Sequence, residues 1–450
     1  MSLSALNARI STPRSPIGVG LAVFLLASAA FLTRAGLQIG FDAVPGPGDE
    51  ADYDLLAQEI AAGRGFRFDY DNADWRAPYE EANRNGDAAG AYNVILNRHG
   101  AAATTYRPPL FPTVMAGLYS VFGQSFAAAR FFNCLTMAAA GGIAAWIVAR
   151  RLGVLPGLLC GFLFAVIEHR ARYHAGLVLT ESLASLFAVL LAASLIALSE
   201  SGRWRTVLAA GLIAGLGILN RPLVVLWIPI VALLISWVAP RRKLLLATVF
   251  LLVTAAVVAP WSVRNSLLLG RFSPLGTHGQ QNLAAAYSDE AVRQGGVWYR
   301  LDATEFFPAS IDDSRPGIDR ELARAELSQR TAFEWMRQNP LKVPALAALR
   351  VWQLWQPRMH WDALVLGLAA FGLVLWPVAA ERRLLGGLLL ANTLAVAATW
   401  SVAGRFLVPL LPVLHVAAAC GAWIVLLAVT ERRKTVRDWL GKRTTSDRPG

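Results

Sequence analysis

Two adjacent carboxylates, Asp49 and Glu50, stand in the stretch Gly46-Pro47-Gly48-Asp49-Glu50-Ala51-Asp52-Tyr53, directly after the first long apolar run. An acid at a membrane exit can take the proton of a hydroxyl nucleophile, and such general-base help is worth about 10² to 10⁴ in rate. The structural alternative is that Asp49 merely N-caps a helix. Glu50 to Ala62 puts Tyr53, Leu56 and Ile60 on one helical face before Gly63, which predicts a helix lying on the membrane with Asp49 at its start.

A second chemical signal is arginine on the unexpected side of the membrane. Arg107, Arg170, Arg172, Arg221, Arg264 and Arg405 fall at or just beyond the outer ends of apolar runs. A guanidinium presents a planar fork of donors suited to phosphate, so the set points to a phosphate held at the bilayer surface, as on a lipid-linked phosphate. For each arginine the alternative is a side chain that snorkels or pairs with a loop acid.

Metal chemistry is not expected. His169 and His174 beside Glu168 have a spacing that fits no standard helical ligand pair and read as polar loop residues. His278, His360 and His415 stand isolated, and Arg358 to Asp362 reads as an interface anchor. The chain contains no Gly-rich phosphate loop, no HExxH and no CxxC pair, and no cofactor is expected. Cys134, Cys160 and Cys420 all fall inside apolar runs and read as packing residues rather than a disulfide framework.

The elements that must position these groups are membrane helices. With 450 residues, 55% hydrophobic and 16% charged, the composition is that of a polytopic membrane protein. The net charge of +12 gathers in short loops rather than in a groove for nucleic acid. The sequence predicts an all-α transmembrane bundle of about ten spans, near 17–36, 126–149, 152–168, 175–198, 206–220, 222–239, 244–261, 363–380, 384–401 and 406–429.

Cationic clusters at Arg150-Arg151, Arg203 with Arg205, Arg241-Arg242-Lys243, Arg382-Arg383 and Arg432-Arg433-Lys434 mark cytoplasmic ends, as do Arg9 and Arg14 before the first span. Residues 1–450 then form one membrane domain, with outer loops at 37–125 and 262–361 and a basic cytoplasmic tail at 430–450. The apolar stretches 107–123 and 339–356 are read as interfacial or re-entrant helices, the latter with Arg350, Trp352 and Trp355 in the aromatic belt. The basic lead and small residues Ala27 to Ala30 of the first run also fit a signal segment. Gly211, Gly215 and Gly217 suit close helix packing in lipid.

Asp49-Glu50 with Tyr53, LAQEIAAGRGF, the RPPL of Arg107 to Leu110, the TES of Thr180 to Ser182, the PWSVRN of Pro260 to Asn265 and the GRFLVPLLP of Gly404 to Pro412 follow one another in order. As an ordered set covering nearly the full length, they resemble the GT-C membrane glycosyltransferases, in the branch of the protein mannosyltransferases and lipid A aminoarabinose transferases. Larger members carry a sizeable soluble C-terminal domain, whereas here a basic tail of about twenty residues follows the last span.

The resemblance implies transfer of a sugar from a polyprenyl phosphate donor to an acceptor, with inversion, at the non-cytoplasmic face of a bacterial inner membrane. By the same resemblance Asp49 is the base, and Glu50 shares that role or positions the acceptor. Arg405 and Arg264, then Arg107 and Arg221, then Arg172, would hold the donor phosphate, while Tyr53, Glu181 and Asn265 position substrate. Membrane lipid and the polyprenyl donor are the expected partners; whether the acceptor is a lipid, a polysaccharide or a protein is left open. A transporter or flippase of an anionic lipid, or a non-catalytic scaffold, are the alternatives; charges gathered at the outer surface rather than mid-bilayer favour the enzyme.

Overall fold

Long runs of Leu, Ala, Val and Ile, with most prolines in loops or first turns, commit most of this chain to helix. The computed structural model describes residues 15–86, 90–301, 305–311 and 314–446, without side chains after Glu431. Arg9 and Arg14 and the side chains of Arg432, Arg433 and Lys434 lie outside those residues. Among the described residues the helices are joined by one short antiparallel ribbon, β1 (Arg67–Asp69) with β2 (Ala101–Ala103), in register Phe68 opposite Ala102.

The first helix, α1 (Pro16–Arg34), packs into the bundle rather than standing apart: Val23, Ala27 and Phe31 are buried, and the Phe31 ring meets Phe164 edge-on at 6.0 Å. After it come α2 (Asp49–Ala61), α3 (Ala73–Asn85), α4 (Leu110–Phe122) and α5 (Phe126–Leu152). The third predicted span breaks into α6 (Val154–Phe162), which runs on to Ile167, and α7 (His169–Ala175), bent by 65° at Glu168. Then follow α8 (Glu181–Ser201), α9 (Trp204–Asn220), α10 (Ile228–Val238) and α11 (Lys243–Leu269). In the second long loop and beyond lie α12 (Ile318–Gln338), α13 (Lys342–Trp355), α14 (His360–Val374), α15 (Ala379–Ala398) and α16 (Leu411–Ser446).

Each of the ten predicted spans falls on helix, but the count of ten is not established. Among the described residues five helices are long and apolar enough to cross a membrane: Pro16–Ile39, Phe126–Leu152, Glu181–Ser201, Lys243–Leu269 and Arg405–Glu431, with a sixth if the bent pair at Glu168 is one span. Trp204–Asn220, Pro222–Val238 and His360–Val374 are shorter apolar helices. The α4 helix, 13 residues long, reaches only roughly 20 Å at 1.5 Å per residue, short of a hydrocarbon core of about 30 Å.

The α9 and α11 helices approach closely at Gly211 and Gly215, where an added Cβ would lie 2.8 Å from Val253 and 2.6 Å from Val257. Small residues at such a crossing let the backbones touch where no water drives helices together.

Two expectations about interfacial helices need correction. The α2 helix is buried on nearly every side, not laid on a surface. Ala51, Leu55 and Leu56 enter an aromatic cluster of Phe68, Tyr70, Trp75, Tyr79 and Tyr92, while Tyr53 and Ala57 pack on Phe111, Met115 and Tyr119. The short loop helices thus build a small folded cap of their own, which supplies the apolar faces that α2 would otherwise expose. Likewise Arg350 of α13 is fully buried, donating to the carbonyls of Ala397 (3.1 Å) and Ala286 and lying over the Tyr287 ring at 4.5 Å. It ties backbone segments together, while Trp352 remains exposed.

Candidate active site

Asp49 is the first residue of α2; its N-cap is Gly48, and the Asp49 side chain caps nothing. Its carboxylate instead bridges two arginines, with Arg107 Nη2 at 2.8 Å from Oδ1 and Arg405 Nη1 at 3.0 Å from Oδ2. Arg405 donates through Nε to Glu181, whose same oxygen accepts from Arg221 Nη1 at 2.8 Å. Arg107 is fixed further by Asp52, which accepts from Nε (3.0 Å) and Nη2 (2.6 Å), and its guanidinium lies over the rings of Tyr106 (4.7 Å) and Tyr53 (5.5 Å). Asp52 also meets Arg98 Nη1 at 3.5 Å.

The backbone explains why these groups stand where they do. Arg107 and Arg221 each precede a proline, Pro108 and Pro222, and the residue before proline is driven out of the helical region. Arg221 is accordingly extended (φ −149°, ψ 100°) at the end of α9, which throws its side chain off the helix axis. Arg405 opens a short 3₁₀ turn (Arg405–Leu410) after two residues in the left-handed region, Ala403 (φ 47°) and Gly404 (φ 82°). Holding a non-glycine residue there costs about 1–2 kcal/mol, a strain spent on aiming Arg405. Glu181 is the first residue of α8; Thr180 makes no side-chain cap, so the TES motif serves the arginines rather than the helix end.

Asp49, Tyr53, Arg107, Arg221 and Arg405 form the inner wall of a cavity of about 690 Å³, with Tyr106, His278, Trp298 and Trp400 among the other lining residues. Three carboxylates face four guanidiniums in this cluster, which leaves it one positive charge. The dry surroundings alone would raise the Asp49 carboxyl, yet Arg107 and Arg405 outweigh them and hold it well below the usual carboxylate range. Burial opposes the charge of Arg107, but Asp49 and Asp52 keep that guanidinium firmly protonated. His278, by contrast, is driven down by burial and then by Arg107, so its imidazole is neutral.

Not every residue singled out by sequence joins this group. Glu50, the second candidate acid, does not line the cavity: Oε1 accepts from the Val178 N–H (2.6 Å) and Oε2 from the Gly46 N–H (2.9 Å), so both oxygens are engaged by backbone. Arg264 and Asn265 are also absent from the lining. Arg264 donates to the carbonyls of Thr104 (2.8 Å) and Phe66 (3.0 Å), packs on Phe66 and Trp261, and uses Asn265 Oδ1 at 3.1 Å. It fastens the first long loop to α11. Arg172 lies outside the cavity as well, and makes no ion pair among the described residues.

Sequence reasoning missed Asp52 and His278. Asp52 had a readable signal, since it follows Asp49 by three residues and so shares its helix face. His278 had none. It comes from the second long loop, and only the folded chain sets its ring edge-on to Tyr106 at 4.9 Å and near Trp400 at 6.2 Å.

The solved structures that are similar include ArnT from Cupriavidus metallidurans bound to Undecaprenyl phosphate, at 14% identity and a TM-score of 0.49, covering 88% of this chain and 59% of that one. The same protein in the apo state matches at 17% identity and a TM-score of 0.37, covering 88% of this chain and 77% of that one. The chain therefore spans about 59% of the length of the first of these structures. No curated protein matches. Residues 106–262 match the family described as Dolichyl-phosphate-mannose-protein mannosyltransferase. The GT-C resemblance carried by the ordered motifs is thus borne out over the segment that contains Arg107, Glu181 and Arg221, in a chain built as a polytopic helical membrane protein.

Proposed function

We propose that this protein is a membrane glycosyltransferase that moves a sugar from a polyprenyl phosphate donor to an acceptor hydroxyl at the outer membrane face, with inversion. The observation that carries the reading is the convergence of Arg107, Arg221 and Arg405, from three distant segments, on Asp49 at the inner wall of one cavity and on Glu181 buried behind it. The family match and the all-helical membrane fold support the reaction class.

The chemistry follows from the geometry. The donor phosphate takes guanidinium N–H donors of Arg405, Arg221 and Arg107, and these stabilise the charge that grows on the departing phosphate more than the ground state. In doing so the phosphate competes with Asp49 and Glu181 for the same cations. Asp49, a weak base while two arginines hold it, gains basicity as the donor draws them away. It then accepts the proton of the acceptor hydroxyl while the hydroxyl oxygen bonds the anomeric carbon and the bond from that carbon to the phosphate oxygen breaks. Polyprenyl phosphate leaves. The ion-pair chain so makes donor binding a precondition for activating the acceptor.

Sidedness belongs to the same proposal: 37–125 and 262–361 face the non-cytoplasmic side of an inner membrane, with the clusters at Arg150-Arg151 and Arg382-Arg383 inside. Residues 430–450 then form a cytoplasmic tail.

The test is to incubate the purified protein in lipid with labelled polyprenyl phosphosugars and native membrane extract, and to identify by mass spectrometry any species that gains a sugar. Release of polyprenyl phosphate together with a glycosylated product supports the reading. Movement of intact donor across the bilayer without cleavage would replace it by a flippase.

A further inference from the structure

A second group of ionisable residues lies apart from the cavity, at the break between α6 and α7. Glu168 is at the bend, His169 opens α7, Asp362 lies in the first turn of α14, and His415 sits in α16, one turn beyond the segment that carries Arg405. Glu168, Asp362 and His415 are almost wholly buried. Among the described residues, His169 Nδ1 and His415 Nε2 are buried nitrogens without a hydrogen bond. Both face the carboxylates: His169 Nδ1 is 3.4 Å from Asp362 Oδ1, and His415 Nε2 is 3.8 Å from Glu168 Oε2.

A buried polar atom left without a partner calls for a physical reason. Here the spacing supplies one. A tetrahedral ion with bonds of about 2.0–2.1 Å needs its ligand atoms roughly 3.3 Å apart, close to these separations, and ligand atoms of Glu168, His169 and Asp362 all lie within 4.8 Å of one another. The outer supports are also in place. His415 Nδ1 lies 2.8 Å from the Leu411 carbonyl, which makes Nδ1 the protonated nitrogen and leaves the Nε2 lone pair free. Asp362 Oδ2 accepts the N–H groups of Arg358 (2.9 Å) and Met359 (3.1 Å), which turns Oδ1 toward the group. Arg170 grips Glu168 at 2.8 and 3.0 Å and lies 3.8 Å from Asp362. Two carboxylates and one guanidinium leave one negative charge in the group.

We propose that Glu168, His169 and Asp362 form a site for a first-row divalent metal ion of the zinc type, with His415 standing behind Glu168. Three protein ligands leave the fourth position of a tetrahedral shell to water. Its ligands come from the two sides of the break at Glu168 and from α14, so the ion ties α14 to the segment that leads on to Glu181. This departs from the sequence, in which no two of these residues had a recognisable ligand spacing.

The experiment uses the full chain in detergent, stripped with a chelator and then reloaded with zinc. Metal content is read by elemental mass spectrometry and affinity by competition with a chromophoric zinc indicator. The expected result is about one zinc per chain, with affinity weakened at least tenfold in His169→Asn and Asp362→Asn, and a zinc-dependent rise in Tm in the parent that the variants lack. His169 is partly exposed, so its variant tests binding without a large cavity. The exposed pair His99–Asp71 provides the control. Well under one zinc per chain after reloading overturns the site, as does unchanged affinity in both variants, or a loss seen in His99→Asn instead.

Discussion

Asp49 and Arg405 lie 356 residues apart in sequence and share a hydrogen bond of 3.0 Å at the inner wall of the cavity. In the proposed reaction this pairing makes Arg405 both a cation for the donor phosphate and a group that restrains the base. Arg405→Lys keeps one charge but loses the planar fork that serves Asp49 and Glu181 together. Donor-lipid affinity should fall about 10- to 100-fold, about 1.4–2.7 kcal/mol, in a protein that still folds, as read by equilibrium binding of a labelled polyprenyl phosphate.

Arg264→Ala should fail in a different way. Because Arg264 spends its donors on the carbonyls of Thr104 and Phe66, its loss should lower Tm and leave donor affinity per folded molecule unchanged. A binding defect as large as that of Arg405→Lys, without a stability change, would return Arg264 to the phosphate site.

Glu50→Gln separates structure from chemistry. An amide can accept only one of the two backbone N–H groups from Gly46 and Val178 and turns a donor toward the other, a mismatch worth about 1–3 kcal/mol. Thermal unfolding should show that loss, with the pH profile of transfer unaltered. A shifted pH profile at unchanged Tm would restore Glu50 as a proton-handling group.

A buried acid of the α2 helix should give the protein a pH-dependent stability. Asp54 accepts from Tyr119 (2.7 Å), Tyr79 (3.1 Å) and Gln124 (3.0 Å) with no cation beside it, and burial pushes its carboxyl up to about 6. The folded state therefore binds this proton more tightly than the unfolded chain. Its stabilising effect is complete below the unfolded value of about 3.9, is lost as pH rises toward 6, and is flat above. The span corresponds to about 3 kcal/mol at most. Asp54→Asn should flatten the difference between pH 4 and 6 in a Tm series; an unchanged slope would mean that Asp54 is ionised throughout.

Sidedness is open to direct labelling. Single cysteines at Asn85 and Ser310 should react with an impermeant thiol reagent in intact cells and one at Ser201 should not, while Cys134, Cys160 and Cys420 are buried and silent. Labelling at Ser201 alone would invert the orientation.

Much of this architecture was legible in the chain. Apolar length located the helices, and the order of short motifs brought out Asp49, Arg107, Glu181, Arg221 and Arg405, four of them at helix starts or beside prolines where side chains leave the bundle. What sequence could not convey is which polar group answers which. Arg264 and Arg405 look alike in one dimension, and only folding gives one of them carbonyls and the other carboxylates. Glu50 is hidden by the same limit, since its partner Val178 lies 128 residues away. The α2 helix misleads for another reason: its surroundings are built by loop segments too short and irregular to show periodicity, so a helix buried all round reads as one lying on a surface.

The central claim is that Asp49 takes the acceptor proton, and Asp49→Asn tests it most directly. Asparagine keeps the shape and can still accept from one arginine, but it offers no basic oxygen. With a donor that the parent uses, the account predicts a variant that expresses, inserts and binds donor lipid near normally, with the single-turnover rate of sugar transfer reduced about 10²-fold or more. Transfer at the parental rate by a donor-saturated Asp49→Asn protein would contradict the account.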